Sequence, residues 1–307
     1  MADARTIAVI GAGLMGHGIA LSFARAGHMV LVCDPAADSL ASLGDRIGAS
    51  LRAIGAADKE VRSTLANVTG AGSIAEAVSE ADFVFEAAPE KLDLKQKVFA
   101  EAEAAATDDC VFASNTSVIP ITAIMGGLTN RARALGTHWW NPPHMIPLVE
   151  VIRTEWTTEA AFDSVTALLA QIGKTPVRVD KDVPGFIGNR LQHALWREAI
   201  SLVEHGICSA EAVDAVVKAS FGRRLAVLGP LENADLVGTD LTLDIHENVL
   251  ADLETSPAPS PYLRQLVDTD RLGMKSGEGF QAWPPGQAAE TSDRVARHLL
   301  KLETILD

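Results

Sequence analysis

A glycine-rich motif near the start of the chain restricts its possible folds more than any other feature. The motif GAGLMG, residues 11–16, follows the short apolar run Thr6–Ile10 and precedes an apolar-periodic segment that ends near Ala26. This order predicts a strand, a tight turn and a helix, and a glycine-rich turn in that context can bind phosphate. The alternative is a glycine turn without a ligand, which does not account for the flanking strand and helix.

The residues of this motif have separate predicted roles. Gly11 permits the tight turn, Gly13 lets the backbone approach a pyrophosphate, and Gly16 allows the helix to pack closely. At the start of the helix, free amides such as those of Leu14 and Met15 attract phosphates together with the positive end of the helix dipole. These features predict a dinucleotide-binding turn.

An acidic residue after the second predicted strand specifies the dinucleotide. Residues 28–33 read as this strand, and Asp34 follows it at about 20 residues from the glycine motif. A carboxylate there accepts hydrogen bonds from the ribose hydroxyls and repels a 2′-phosphate. No arginine occurs among the three residues after Asp34, so we expect NAD rather than NADP. A merely capping aspartate is the alternative.

Composition limits the partners. The chain has 307 residues, a hydrophobic content of 48% and a net charge of −14, and it has no block of lysine and arginine. Two domains with real cores are possible at this length. A nucleic-acid partner is not expected because an acidic surface repels a phosphate backbone. The predicted partner is a small molecule.

The cysteines and the apolar runs indicate the compartment. Cys33, Cys110 and Cys208 are isolated and show no metal-ligand spacing, so we expect free thiols and no metal site. No apolar run reaches about 18 residues, and the first strand follows Met1 too closely for a signal peptide. The sequence therefore predicts a cytoplasmic protein without a membrane partner.

Strands and helices alternate over the first part of the chain. Beyond the first two strands, the predicted strands are residues 82–87, 110–113, 134–139, 148–152 and 175–179. The predicted helices between them are residues 39–54, 91–106, 120–125 and 160–172. This pattern predicts an α/β fold with a Rossmann-type, doubly wound, mostly parallel sheet whose far edge is mixed.

The last part of the chain reads as helical. Residues 186–205 and 209–218 have helical periodicity, and Ser209 is predicted to be the N-cap of the second helix. Strand signals nearly vanish after Pro184. We therefore predict an NAD-binding domain over residues 1–182 and a helical substrate and dimerisation domain over residues 183–307.

A histidine and a carboxylate lie on two neighbouring predicted strands. His138 ends one strand, Glu150 lies in the next, and residues 141–143 form a turn between them. A carboxylate beside an imidazole fixes its tautomer and stabilises the imidazolium, so the pair can take a proton from a hydroxyl. Spacing alone also permits a structural histidine and a surface carboxylate. His144, in the turn, is the rival base.

Six segments together resemble the L-3-hydroxyacyl-CoA dehydrogenase family. They occur in the family's order over nearly the whole chain: GAGLMG, EAAPE, FASNTS, HWWNPP with LVEVI, DVPGFIGNR and GMKSGEGF. The resemblance implies a Rossmann-type domain followed by an all-α domain, similar to the C-terminal domain of 6-phosphogluconate dehydrogenase. It also implies a homodimer.

The resemblance assigns roles to residues. It implies that His138 is the catalytic base, that Glu150 orients it, and that Ser117 and Asn189 hold the substrate's reacting group. The residues implied around the nicotinamide half of NAD are Glu90, Lys95, Asn141 and Lys275. Without the resemblance, Ser117 reads as part of a turn and Asn189 as an exposed amide. Lys95 and Lys275 read as solvated surface lysines.

Two segments depart from the acyl-CoA enzymes. The segment of residues 39–65 is short and has four bases, Arg46, Arg52, Lys59 and Arg62, where the family has a lysine-rich, CoA-binding hairpin. Residues 221–238 are instead similar to the λ-crystallin, L-gulonate 3-dehydrogenase and L-carnitine dehydrogenase branch. There, Arg223 or Arg224 would clamp a free substrate carboxylate, or either could be a plain surface arginine.

These observations predict an NAD-dependent dehydrogenase that oxidises the 3-hydroxyl of a 3-hydroxy acid or acyl compound. Free acids are expected first and acyl-CoA, with a role in fatty acid metabolism, second. The segment HWWNPPHMIP also resembles a bacterial enzyme of vitamin B6 breakdown, which suggests an aromatic aldehyde acid and an aromatic wall of Trp139 or Trp140. A non-catalytic NADH-binding protein is the remaining alternative.

Overall fold

The computed structural model describes residues 4–306, the side chains of residues 303 and 306 excepted. The outermost residues of the two predicted domains, 1–3 and 307, lie outside this range. The chain divides into two compact units between Asn189 and Arg190, whereas the sequence predicted a boundary after residue 182. Each unit is described on its own.

The first unit is built on one eight-stranded sheet. Its strands are β1 (Thr6–Ile10), β2 (Met29–Cys33), β3 (Val68–Ala71), β4 (Phe83–Glu86), β5 (Val111–Ser114), β6 (Ala134–Trp139), β7 (Leu148–Ile152) and β8 (Thr175–Val179). Their spatial order is β3-β2-β1-β4-β5-β6-β7-β8. The strands from β3 to β6 are parallel, β7 is antiparallel to β6, and β8 is parallel to β7. The predicted mostly parallel sheet with a mixed edge is confirmed.

Helices connect these strands. They are α1 (Leu14–Arg25), α2 (Ala37–Ala41), α3 (Leu43–Ala53), α4 (Asp58–Leu65), α5 (Ile74–Val78), α6 (Leu92–Ala105), α7 (Ile121–Met125) and α8 (Glu159–Gln171). The single helix predicted over residues 39–54 is wrong, because the chain forms two helices that meet at Ser42. The sequence interpretation also missed α4, β3 and α5. The strand β3 (VTGA) lies at the sheet edge and is largely exposed, so it lacks the apolar run by which the other strands are recognised.

Both faces of the sheet are buried. In β1, Ile7 and Val9 pack into one apolar cluster, whereas Ala8 and Ile10 pack into the other. This alternation is typical of a parallel strand that is covered by helices on both sides. The carboxyl ends of the parallel strands thus form the edge from which polar loops can emerge.

The second unit is helical. Its helices are the remainder of α9 (Gly188–Glu204), then α10 (Ala210–Ala219), α11 (Pro230–Val237), α12 (Thr239–Val249), α13 (Pro261–Asp268) and α14 (Gln287–Leu306). The Ser209 hydroxyl accepts a hydrogen bond from the amide of Ala212 and caps α10 as predicted. From Arg190 to Leu306, the only extended pairings are isolated bridges between Gly273 and Glu278 and between Glu278 and Ala282. The predicted α/β domain followed by an all-α region is confirmed.

Candidate active site

The glycine loop between β1 and α1 has the geometry of a phosphate-binding turn. Gly11 has φ of +105°, and a Cβ there would lie 2.7 Å from the carbonyl oxygen of Ala87. A Cβ on Gly16 would lie 1.7 Å from the carbonyl oxygen of Gly11, so neither position accepts a larger residue. Around Gly13, by contrast, no described atom outside Gly13 and its two chain neighbours lies within 4 Å of a Cβ position. Open space therefore lies beside the first amides of α1, which have no acceptor within their own helix.

Asp34 is placed against this loop. Its Oδ2 accepts a hydrogen bond of 2.7 Å from the amide of Ala12, and its Oδ1 accepts one of 2.8 Å from the amide of Ala36. Each oxygen has a second lone pair for a ribose hydroxyl. The open space and the anchored carboxylate thus fit the pyrophosphate and the adenosine ribose of NAD.

His138 and Glu150 form the predicted pair. They are directly opposite each other in the antiparallel ladder of β6 and β7, and both are buried. The His138 Nδ1 and the Glu150 Oε2 are 2.6 Å apart. The other carboxylate oxygen, Oε1, accepts hydrogen bonds from the amides of Ile187 at 2.8 Å and Gly188 at 3.0 Å. The carboxylate is therefore fixed from both sides.

The environment of Glu150 keeps it ionised. Burial alone would raise its pKa, but hydrogen bonds from His138, Gly188 and Ile187 outweigh this effect and lower the pKa below its ordinary value. An ionised Glu150 accepts a hydrogen bond from the Nδ1–H group of His138, which leaves Nε2 as the nitrogen with a free lone pair. Within residues 4–306, Nε2 has no hydrogen-bond partner. The ring can therefore accept a proton from a ligand.

Aromatic side chains surround the imidazole. The ring centroids of Trp140 and Phe186 lie 5.3 Å and 5.6 Å from that of His138. The Trp140 Nε1 also donates to the Glu150 Oε2 at 3.4 Å. Trp139 is fully buried against Phe23 and Phe85, so of the two tryptophans only Trp140 is available as an aromatic wall.

A second buried ion pair lies at the ends of β4 and β5. The Lys95 Nζ lies 2.6 Å from the Glu86 Oε1 and 3.4 Å from the Glu90 Oε2, and Lys95 is 0% exposed. The Ser114 hydroxyl donates to the other oxygen of Glu86 at 2.6 Å. The interpretation of Lys95 as a solvated surface residue is wrong, because the carboxylate of Glu86 holds it inside the unit.

Glu90 connects this ion pair to the loop after β5. Its Oε1 accepts hydrogen bonds from the Thr116 hydroxyl at 2.5 Å and from the amide of Ser117 at 2.9 Å. Burial alone would raise the pKa of Glu90, but the Thr116 hydrogen bond and the Lys95 charge lower it. The Ser117 carbonyl in turn accepts a hydrogen bond of 3.0 Å from the Asn189 side chain. Four predicted site residues are thus joined in one chain of contacts.

The remaining predicted residues are less constrained. Asn141 is exposed in the turn after β6. His144 lies beside His17 of α1, with ring centroids 6.2 Å apart, whereas the carboxylate of Glu150 pairs with His138. Lys275, Arg223 and Arg224 are exposed in the second unit, and within the described residues their side chains have no hydrogen bond or ion pair. Their roles stay predictions.

Several polar residues of this site were missed from the sequence. Glu86 carries a signal that was available, because a carboxylate inside the apolar strand FVFE needs a buried partner. Thr116 carries no such local signal, and neither does Arg46, whose Nη2 donates to the carbonyls of Ala12 and Ser39. In the described part of the chain, no cluster of three or more histidine, cysteine, aspartate or glutamate residues could hold a metal. No helix of this part is long and apolar enough to cross a membrane.

The fold and the site together define a class of protein, the NAD-dependent dehydrogenases. A phosphate-binding turn and a histidine with a free ring nitrogen lie on loops and strand ends of one doubly wound sheet, which is where this class binds its cofactor. Residues 6–183 match the NAD-binding domain of 3-hydroxyacyl-CoA dehydrogenase, and residues 185–283 match the C-terminal domain of that enzyme. The chain therefore belongs to the 3-hydroxyacyl-CoA dehydrogenase family.

Three relatives show the range of this similarity. The chain is 38% identical to the mitochondrial hydroxyacyl-coenzyme A dehydrogenase of Homo sapiens, over 89% of this chain and 90% of that one. It is 38% identical to L-carnitine dehydrogenase of Streptomyces griseus, over 77% of this chain and 70% of that one. A crystal structure of 5-formyl-3-hydroxy-2-methylpyridine 4-carboxylic acid 5-dehydrogenase, described as an NAD+ dependent dismutase, matches with a TM-score of 0.91. The two chains are 34% identical, and the match covers 99% of each.

Proposed function

We propose that the protein oxidises the 3-hydroxyl of a 3-hydroxy carboxylic acid, with His138 as the general base. The observation that supports this most is the buried contact of 2.6 Å between the His138 Nδ1 and Glu150, which leaves Nε2 free. In the reaction, the hydroxyl proton passes to Nε2, the C–H bond breaks, and the C–O bond becomes a carbonyl. When bound, NAD accepts the hydride. Glu150 stabilises the imidazolium that forms.

Neighbouring residues would hold the substrate for this step. Ser117 has an exposed side chain on the loop after β5, and its carbonyl is tied to the Asn189 amide group. We propose that the Ser117 hydroxyl and the Asn189 side chain bind the oxygen that reacts. Trp140 and Phe186 would exclude water beside the imidazole. A site without water strengthens the attraction between the imidazolium of His138 and the carboxylate of Glu150.

A free acid is our first substrate class because the acyl-CoA alternative lacks a basic site for the carrier. CoA carries several phosphates, whereas this protein has a net charge of −14. Of the bases in residues 39–65, Arg46 is engaged by backbone carbonyls. Arg223 and Arg224 stay the proposed carboxylate clamp. A role in fatty acid metabolism would follow only from the acyl-CoA alternative.

A second candidate substrate is an aromatic aldehyde acid. It is supported by the full-length similarity to the pyridine-carboxylate dehydrogenase, with a TM-score of 0.91. A hydrated aldehyde has a hydroxyl and a hydrogen on the same carbon, so loss of the hydroxyl proton to the same base and of the hydride to bound NAD would convert it into an acid. Trp140 beside His138 would then stack against an aromatic ring.

The test is formation of NADH with a panel of substrates. The panel contains 3-hydroxybutyrate, L-gulonate, L-carnitine, 3-hydroxybutyryl-CoA and an aromatic aldehyde acid, and product analysis separates ketone from acid. Turnover with a free hydroxy acid supports the first proposal, and its loss in R223A or R224A supports the clamp. Turnover only with the CoA ester or only with the aldehyde overturns it. NADH binding without any turnover would favour a non-catalytic binding protein.

We further propose that the protein is a cytoplasmic homodimer that pairs through its helical unit. Large apolar side chains on this unit are exposed to solvent, and exposed apolar patches of this kind mark protein interfaces. Among them are Ile207, Leu231 and Leu236. The three cysteines are unpaired, which supports a reducing compartment.

A further inference from the structure

Arg46 of α3 binds the backbone of the glycine loop. Its Nη2 donates to the carbonyl of Ala12 at 2.6 Å and to the carbonyl of Ser39 in α2 at 2.7 Å. Its Nη1 lies 3.4 Å from the carbonyl of Gly13. Three carbonyls therefore converge on one guanidinium, a group with a rigid fork of donors.

The same loop is held from its other side. The amide of Ala12 donates to Asp34 at 2.7 Å, while the carbonyl of Ala12 accepts from Arg46. A second contact between α3 and the loop region comes from His17, whose ring nitrogens lie 3.2 Å from the Gly13 carbonyl and 3.3 Å from the Ser50 hydroxyl. Both groups of the Ala12 residue are thus fixed by charged side chains that lie far away in the sequence.

The guanidinium also brings a positive charge to this loop. The space beside Gly13 is open, and the free amides of α1 face ligands at that end of the helix. Carbonyls are neutral, so these hydrogen bonds do not cancel the charge of Arg46, and no carboxylate forms an ion pair with Arg46 within the described residues. Its charge can therefore act on an anion bound at the loop.

We propose that Arg46 is a positioning residue for the pyrophosphate of NAD. It holds the glycine loop in the conformation that directs its amides to the phosphates, and its charge attracts them. In this proposal, Arg46 therefore contributes to binding of the dinucleotide and not to binding of a CoA carrier. This inference concerns cofactor binding and does not depend on which substrate the protein oxidises.

The experiment compares three variants of the full-length protein. R46A removes the fork and the charge, R46K keeps the charge with a different geometry, and R52A is the matched control. Arg52 lies on the same helix, its side chain is 61% exposed, and its carboxylate partner Asp58 is 4.0 Å away. Dissociation constants for NADH, ADP-ribose and adenosine are measured by calorimetry, and folding is followed by thermal unfolding without ligand.

We expect R46A to weaken the binding of NADH and of ADP-ribose by about tenfold to hundredfold, which is the range for loss of hydrogen bonds from a charged group. Adenosine lacks the pyrophosphate, and its affinity should change less than about twofold on this scale. R46K should bind NADH more tightly than R46A does, and R52A should match the wild type. Unchanged NADH affinity in R46A, or an equal loss for adenosine, would overturn the proposal. If R46A does not fold, R46K is used instead. Its affinity for ADP-ribose should then fall by a larger factor than its affinity for adenosine, and equal losses would overturn the proposal.

Discussion

The two units of this protein differ in what they bury. In the first unit, apolar side chains fill both faces of the sheet, and His138, Glu150 and Lys95 are buried and paired. Among the described side chains of the second unit, Leu266 is the only apolar one that is buried, at 2% exposure. The predicted functional residues of that unit are exposed, and among the described residues their side chains have no hydrogen bond or ion pair.

This difference shows two ways to prepare a functional surface. The first unit fixes its polar side chains by its own packing, because a buried charge without a partner is too costly to persist. The second unit leaves apolar side chains exposed, as expected for a surface that another molecule covers. We therefore expect substitutions in the first unit to have large effects on their own, and substitutions in the second unit to act mainly on association.

The largest effect should come from the base itself. Replacing His138 by Gln should lower turnover by about 100-fold to 10,000-fold, the range for loss of a general base. NADH affinity should stay nearly unchanged, since the glycine loop and Asp34 are intact. His144→Gln is the matched control, and steady-state kinetics with NADH titration measure both variants. An H138Q protein that keeps most of its turnover would contradict the assignment.

The next effect concerns the buried ion pair. Lys95→Met leaves the buried carboxylate of Glu86 without its cation and should lower the free energy of unfolding by about 3 kcal/mol. Lys97→Met, at an exposed position of α6, should change it by less than about 0.5 kcal/mol. Denaturant unfolding measures both. Equal stability of the two variants would show that burial in the first unit does not depend on this pair, whereas partial recovery in Glu86→Gln/Lys95→Met would support it.

A smaller effect is a pH dependence. The pKa of His144 is lowered to about 4, first by burial and then by the charges of His17, Lys174 and Arg25. Between pH 6.5 and 4, the unfolded chain binds a proton that the folded protein does not, so stability falls as the pH falls through this window. His144→Asn should flatten this slope in thermal unfolding, but only partly, because the pKa of His17 is lowered too. His246→Asn, at an exposed position, should keep the wild-type slope. A slope unchanged in H144N would count against the effect of burial at this turn.

The smallest effect on folding should come from the exposed apolar surface. Leu231 is 80% exposed, so Leu231→Glu should change the unfolding free energy of a single chain by no more than about 0.5 kcal/mol. If two copies pair through this surface, the same variant should shift the mass in solution from dimer to monomer. Sedimentation velocity measures the mass, with Asn248→Glu as a polar, exposed control. A wild-type protein that is monomeric, or a dimer that L231E does not affect, would show that this apolar surface is not an interface between two copies.

The sequence predicted the parts of the site that carry a local pattern. The glycine motif has fixed spacing, Asp34 follows a strand, and His138 and Glu150 flank one turn between two strands. Strand register then brings the pair together, and its Nδ1 to Oε2 distance of 2.6 Å agrees with the prediction. Lys95 was different, because its burial depends on Glu86 in another element and its own helix reads as a charged surface helix. The strand β3 lacked a pattern because it is short and exposed.

By itself, the sequence determined the order of most strands and helices of the first unit, the cofactor turn and the two halves of the histidine–carboxylate pair. These features depend on residues that are a few positions apart. The periodic spacing of apolar residues along the sequence reflects such short-range relations directly. Only the tertiary structure decided that Lys95 is buried, that Arg46 holds the glycine loop from 34 residues away, and that the amides of Ile187 and Gly188 fix Glu150. Contacts of this kind join separate elements, and the local pattern of one partner does not identify the other.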